Sequence, residues 1–381
     1  MSLTRRTLLA SAGAIALAGG SAAAGFLATR TPERALAPWD AAHRGAYGDP
    51  RLRALAYAVL APNPHNRQPW IAELRGDSEL MLFCDLDRRL PETDPFDRQI
   101  VIGLGCFLEV FRLAAAREGL SATVEPFPEG EPRPRLDRRP VARVRLAKSP
   151  PDADPIFAEI TKRRSNKKPF DTSRLVEIGL LARLVDGIAG ASATNEATEV
   201  AALRDLTYRG VVVEFETQRT LMESVRLMRI GKSEIEANPD GIFLGGPMLE
   251  TLHLVGALSR EQIADPQSAA FRQGLDTYRA IMMTAMGHVW LVSHGDTRAA
   301  ELAAGRDWVR LNLRASALGL DVHPVSQVLQ EYPEMAGLFA ETHRRLGVGP
   351  GERLQMLARV GYGPAVPPSP RWPLETRIRT A

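Results

Sequence analysis

The sequence predicts an α+β fold of two related halves, each a β-sheet packed with helices, and three observations carry the prediction. Long apolar stretches with helical spacing alternate with short strand-like runs along most of the 381 residues. Two of the helical stretches, 100–119 and 298–319, finish alike, in Gly119-Leu120 and Gly319-Leu320 after an Ala/Leu-rich face, and a strand follows each. With 45% hydrophobic and 24% charged residues, the chain has a globular balance and the length for one large domain or two ordinary ones.

Charge narrows the function. The net charge is +3, and Arg5 and Arg6 are the only charged side chains among the first 24 residues, so removal of that segment leaves +1. Such a chain is no nucleic-acid binder by charge. Cys84 and Cys106, the two cysteines, sit in apolar runs and read as small buried hydrophobes rather than a disulfide. No CxxC, paired histidine or carboxylate cluster offers a metal site.

The first residues form a segment of their own. Arg5 and Arg6 precede a weakly apolar Ala/Gly-rich run that ends in Ser21-Ala22-Ala23-Ala24, the layout of an export signal. The adjacent arginines resemble a twin-arginine signal, which implies export of a folded protein to a periplasmic or membrane-associated place. An uncleaved anchor over residues 8–28 is the alternative. A linker, 29–49, follows.

Apolar residues at Leu52, Leu55, Ala56 and Val59 then predict a helix over 50–60. It delivers the loop 61–70, where Pro62, Pro64 and Pro69 remove three backbone donors and forbid regular structure. Asn63, His65, Asn66 and Gln68 fill this loop with groups that both donate and accept, and Trp70 anchors its exit. It is either a rigid turn that satisfies its own backbone or a surface for the edge of a planar heterocycle.

Strands are expected at 71–74 and 79–85 around Arg75-Gly76-Asp77, a buried helix at 100–119, and strands at 121–127 and 141–146. After a composition break at 147–155 comes a helix start and then Lys162-Arg163-Arg164-Ser165-Asn166-Lys167-Lys168-Pro169-Phe170. Five cations so close together form a solvated charged face or a phosphate site. Helical spacing returns at 175–186, 199–230, 249–258 and 271–286, the last rich in Met. Met282, Met283 and Met286 fill a core or form a mobile flap. A strand at 287–293, the helix 298–318 and a strand at 353–362 close the chain.

Pro62-Asn63-Pro64-His65-Asn66-Arg67-Gln68-Pro69-Trp70 resembles the flavin-contacting loop of the FMN-dependent nitroreductase family, and Arg163-Arg164-Ser165-Asn166-Lys167 resembles its phosphate-binding signature. An extra residue before Phe170 leaves open whether Lys167 or Lys168 reaches the phosphate. The closing strand, helix and strand also resemble that family's C-terminal half. The resemblance covers roughly residues 50–370 and is to the double-length, Acg-like branch, in which one chain folds as a pseudo-dimer. It implies a first half at 50–150, a second at 151–370 with a helical insert or lid near 208–286, and a C-terminal tail at 371–381. FMN is the implied cofactor, held by Arg163, Arg164, Ser165, Lys167 and Arg359 at the phosphate and by Pro62, Asn63, Pro64, Asn66 and Gln68 at the ring.

In such a protein the flavin carries the chemistry and no side-chain nucleophile is needed. The implied activity takes hydride from NAD(P)H or a redox partner to a nitroaromatic, quinone or other small aromatic acceptor, in a monomeric pseudo-dimer or a homodimer. The alternative is an FMN store whose long insert excludes the nicotinamide. A hydrolase finds no Gly-x-Ser-x-Gly elbow.

Overall fold

A computed structural model describes residues 29–152 and 154–380, so the expected export signal lies outside the described residues. The segment read as a linker contains a helix, α1 (Glu33–Arg44), whose Trp39 is buried and donates from its indole to Ser369 O at 2.9 Å. Asp49 caps α2 (Pro50–Ala58) by accepting from Arg51 N, with Pro50 in the first turn. The irregular loop follows. Next come β1 (Trp70–Arg75) and β2 (Glu79–Cys84), an antiparallel hairpin that turns through Gly76 at φ +48°. Helix α3 (Arg98–Arg117) stops where Gly119 turns left-handed at φ +75°, and β3 (Leu120–Pro126) and β4 (Ala142–Lys148) complete the first half.

The second half opens with α4 (Ile178–Val185) and β5 (Ala191–Thr194). An insertion then runs through α5 (Ala197–Glu216), α6 (Gln218–Arg226), β6 (Met228–Ile230), α7 (Gly231–Ala237), β7 (Ile242–Leu244), α8 (Pro247–Leu254), α9 (Arg260–Ala264) and α10 (Ala269–Met283). The chain returns as β8 (Gly287–His294), α11 (Arg298–Ala317), β9 (Asp321–Pro324), α12 (Ala336–Arg345) and β10 (Glu352–Gly361). A C-terminal arm ends in β11 (Ile378–Thr380), parallel to β1.

The sheets have the orders β11-β1-β2-β4-β3 and β5-β8-β10-β9. Without β11, each runs first, second, fourth, third, all antiparallel, with α3 or α11 following the second strand. The insertion between β5 and β8 occupies the place of the tight β1–β2 turn in the first half. Its own packing explains why: Leu203, Leu206, Ile281 and Met282 share a core with Val325, Val328 and Leu357 of the second half. Met282 is therefore core, not flap.

The halves meet where α3 crosses α11. A Cβ built on Gly105 would stand 2.2 Å from Leu302 O, and one on Gly305 2.1 Å from Ile102 O, so the two glycines let the backbones touch. Cys106, buried and free like Cys84, donates from Sγ to Gly305 O at 3.2 Å.

Several elements escaped the sequence reading. The stretch expected as one helix over 199–230 is broken at Thr217 into α5 and α6. Strands β5, β6, β7 and β11 are three or four residues long, too short to show a period of two.

Candidate functional site

The loop after α2 is strained and fully engaged. His65, Asn66 and Gln68 all have positive φ, at 46°, 51° and 52°, a region that costs a residue with a side chain on the order of 1 kcal/mol or more. Hydrogen bonds hold the strain in place. Asn63 Oδ1 accepts from Gln68 N at 2.7 Å, and Asn63 Nδ2 donates to Ala61 O. Asn66 donates to Pro370 O at 3.0 Å and accepts from Arg371 Nη1 at 2.6 Å. Gln68, with no exposed surface, donates to Pro239 O at 2.7 Å and accepts from Trp372 N at 2.9 Å. Pro64 and Asn63 lie against α3 at Gly103, where a Cβ would approach each to 3.1 Å. Pro62 is half-buried beside them.

Asn66 and Gln68 were expected at a ring; in the described structure their amides join three parts of the protein, the loop, the insertion and the C-terminal arm. The turn that Gln68 grips is fastened again by Asp240, which pairs with Arg67 at 3.1 Å, Arg88 at 2.6 Å and Arg229 at 2.8 Å.

Next to the loop lies a group of cations without counter-charge. Arg371 donates to the carbonyls of Val59, Leu60 and Ala61 at 2.9, 3.1 and 3.1 Å, and Arg163 reaches the same Leu60 O at 3.3 Å. These carbonyls follow the C-terminal end of α2, where unpaired carbonyls and the helix dipole favour a cation. Arg164 bonds to the carbonyls of Thr161 and Arg163, each at 2.8 Å, and the ring of Trp39 lies 5.0 Å from it and 5.5 Å from Arg371. Among the described residues no carboxylate pairs with the buried Arg163 and Arg371 or the half-buried Arg164, whereas the buried Arg98 and Arg298 have Glu331 at 3.0 Å and Glu301 at 2.7 Å. Burial and then the charge of Arg164 pull Arg163 down to about 10, and burial, with Arg163 and Arg164 adding to it, holds Arg371 well below the usual arginine range.

From this cluster residues 163–167 run extended. Ser165, half-buried, bridges in parallel to Val322, and Asn166 N donates to Val322 O at 3.1 Å. Lys167 has an accessible side chain, yet burial depresses its pKa, with Glu214 partly offsetting the effect. Tyr278 of α10 has the same character, pushed up to about 12 by burial and then by the charge of Glu214. His65 is held down to about 3 by burial and then by Lys167, so it stays neutral at ordinary pH. Its Nδ1 is buried without a hydrogen-bond partner.

Arg359, also expected at the phosphate, is held by a separate set of bonds, and its Nη1 is buried without a hydrogen-bond partner. It is fully buried over Phe170 at 3.7 Å, and it donates to His323 Nδ1 at 3.0 Å and to the carbonyls of Asn166 and Lys168 at 3.0 and 2.6 Å. It shapes the backbone that presents Ser165 and Lys167. Lys168 is exposed and donates its backbone N–H to Asn166 Oδ1. Arg371 was the residue that sequence reasoning missed. Its signal was present: Pro370-Arg371-Trp372-Pro373 is a second stiff, proline-bounded, Trp-bearing segment like the loop at 61–70.

Glu214 of α5 is buried, accepting from Gln330 Nε2 at 2.9 Å and Ser224 Oγ at 3.3 Å, and burial raises it from 4.5 to about 7. A carboxyl raised on folding stabilises the protein fully below its unfolded pKa, and that contribution is lost as pH rises toward the folded value. Glu214→Gln is therefore expected to gain stability over the parent by on the order of 2 kcal/mol at about pH 8 relative to about pH 4. Urea unfolding at the two pH values measures it.

No model of a known protein family matches the chain. It is 27% identical over 341 residues, 83% of its length and 87% of the relative's, to a Mycobacterium tuberculosis protein named "Putative NAD(P)H nitroreductase". A second protein of that organism with the same name and the suffix acg is 46% identical over 77 residues, 20% of this chain and 22% of the relative. Among solved structures, the FMN and NADPH-dependent nitroreductase NfnB from sphigopyxis sp. strain HMH is 16% identical, with 58% of this chain and 96% of that one covered and a TM-score of 0.36. A protein from Anabaena variabilis described as a "putative nitroreductase" is 12% identical, with 82% and 88% covered and a TM-score of 0.37. Over 83% of its length the chain is thus similar to a protein named for NAD(P)H nitroreductase activity, and over 20% to a second so named.

Proposed function

We propose that the chain is an FMN-dependent oxidoreductase that passes hydride from a nicotinamide or another donor to a nitroaromatic or quinone-type acceptor. The observation that carries this reading is the grouping of three guanidiniums, none paired with a carboxylate among the described residues, with the Lys167 ammonium four residues along the chain from Arg163. A phosphate on an arm that ends in a polar ring matches that pattern of charge. Buried cations without carboxylates are costly alone and become favourable when an anion joins them.

Bound FMN supplies the hydride chemistry at its N5. The chain's residues do the rest. Arg163, Arg164 and Arg371 bind the phosphate, with the Ser165 hydroxyl as a further donor. Lys167 sets a cation toward the ring, where it stabilises negative charge gained on reduction. Tyr278 and the insertion around it exclude water. Lys167→Met is expected to keep FMN binding and to move the midpoint potential of the bound flavin negative by roughly 30 mV, read by equilibration with a reference dye.

A storage role is the second reading. The Pro239–Gly241 turn is bound to the loop by Gln68, by Gly241 N to Asn66 O at 3.3 Å, and by Arg67 to Asp240, so the insertion is fastened down rather than loosely laid. The two separate on one experiment, the absorbance spectrum of protein purified with FMN, followed anaerobically by NADPH and NADH. Bleaching of bound flavin by a nicotinamide supports the reductase; bound flavin that neither nicotinamide bleaches supports storage or another donor. Protein that takes up no FMN overturns both.

A further inference from the structure

We propose that the exposed face of α8 and its C-terminal turn is a membrane-contact surface that meets the lipid beside residues 29 and 30. Met248, Leu252 and Val255 recur at the spacing that puts side chains on one helical face, and Leu254 flanks them. They are 71%, 38% and 69% exposed, and Leu254 68%. These four make up most of the large apolar side chains left exposed among the described residues. Such clustering marks a contact surface, whereas scattered apolar residues do not.

What covers the face follows from where the chain goes next. The opposite side of α8 carries Glu250, which is buried and accepts from Arg30 Nη1 at 2.8 Å and from Lys232 N at 3.3 Å. Lys232 Nζ in turn donates to Thr29 O at 3.0 Å. Residues 29 and 30 are thus pinned to the inner side of the helix whose outer side is apolar. The residues immediately before them, 8–28, contain no charged side chain, and a stretch of about 20 apolar residues is what crosses the hydrocarbon of a bilayer. A segment that enters lipid at residue 28 brings α8 to the lipid surface, where an amphipathic helix buries its apolar face among the headgroups. The patch has no acidic side chain on its outer face, so neutral lipid suffices.

The test uses the full 381-residue chain with an environment-sensitive fluorophore on Val255→Cys and, in a separate protein, on Leu175→Cys, which replaces another strongly exposed apolar residue. Cys84 and Cys106 are buried and do not compete for the label. Each protein is moved from detergent into phosphatidylcholine vesicles, with and without bromine-bearing acyl chains. A blue shift and quenching by the brominated lipid at residue 255, with neither at residue 175, is the expected result. An aqueous spectrum at 255 in vesicles overturns the proposal, as does equal quenching at both positions, which would be general adsorption. Self-quenching at 255 that grows with protein concentration and ignores lipid also overturns it, since the patch would then join two copies of the chain.

Discussion

Gly305→Val is expected to abolish the cooperative unfolding transition, and Gly305→Ala to cost about 3 kcal/mol or more. The reason is what stands in the way. Around Gly305 the nearest atoms to an added Cβ are Ile102 O at 2.1 Å, Gly105 Cα at 2.8 Å and Cys106 N at 2.9 Å, all backbone. Side chains relax by changing rotamer; helix backbones must move as bodies. Here the bodies are α3 and α11, which between them carry the cores of both sheets, so a shift that makes room for one methyl loosens both halves. The control lies elsewhere in the fold: nothing stands within 4 Å of a Cβ on Gly179, and Gly179→Ala is expected to be neutral or slightly stabilising, since it removes a glycine from a helix. Chemical denaturation followed by far-UV circular dichroism reads all three. A Gly305→Val protein with the parent's midpoint would mean that the halves are not joined by this contact.

That crossing also shows what the sequence could and could not tell. Helices α3 and α11 were legible because each buries an apolar face over about five turns, and their Gly-Leu endings betrayed the repeat. Which residues touch across the repeat was not legible, because Gly105 and Gly305 matter through a partner 200 positions away. Helix α1 was hidden for a different reason. Pro32 and Pro38 flank or interrupt it, and it gains its place by packing Trp39 against buried arginines, a tertiary term that overrides a poor local propensity. The site divides in the same way. Residues 163–167 and 61–70 announced themselves by composition, and the structure does bring the segments together. The work done by each side chain did not follow from composition. The amides of Asn66 and Gln68 hold backbone, and the arginine that completes the cluster is Arg371. Charge complementarity is a property of what surrounds a residue in space, and a lone arginine near the chain's end looks the same with or without a carboxylate opposite.

Arg163→Met is expected to act in opposite directions on stability and binding, and that opposition is its value. In the FMN-free protein Arg163 is a nearly fully buried cation, 5% exposed, with one hydrogen bond of 3.3 Å and two like charges as neighbours. An unbranched apolar side chain of similar length avoids the desolvation cost and the repulsion, so the FMN-free variant should unfold at higher urea, with a gain of about 2 kcal/mol. FMN binding should fall by about 100-fold, the loss of one or two charge-assisted hydrogen bonds to phosphate. Arg371→Met makes the contrast. It removes the same charge but strands the carbonyls of Val59, Leu60 and Ala61 and the Asn66 amide, so this variant should lose both binding and stability. Isothermal titration with FMN, beside urea unfolding with FMN absent, gives both quantities for each variant. If Arg163→Met weakens the fold and leaves FMN affinity untouched, Arg163 is a structural cation and the phosphate reading of the cluster fails; a firmer FMN-free fold with weaker binding identifies a site whose cost is borne for its ligand.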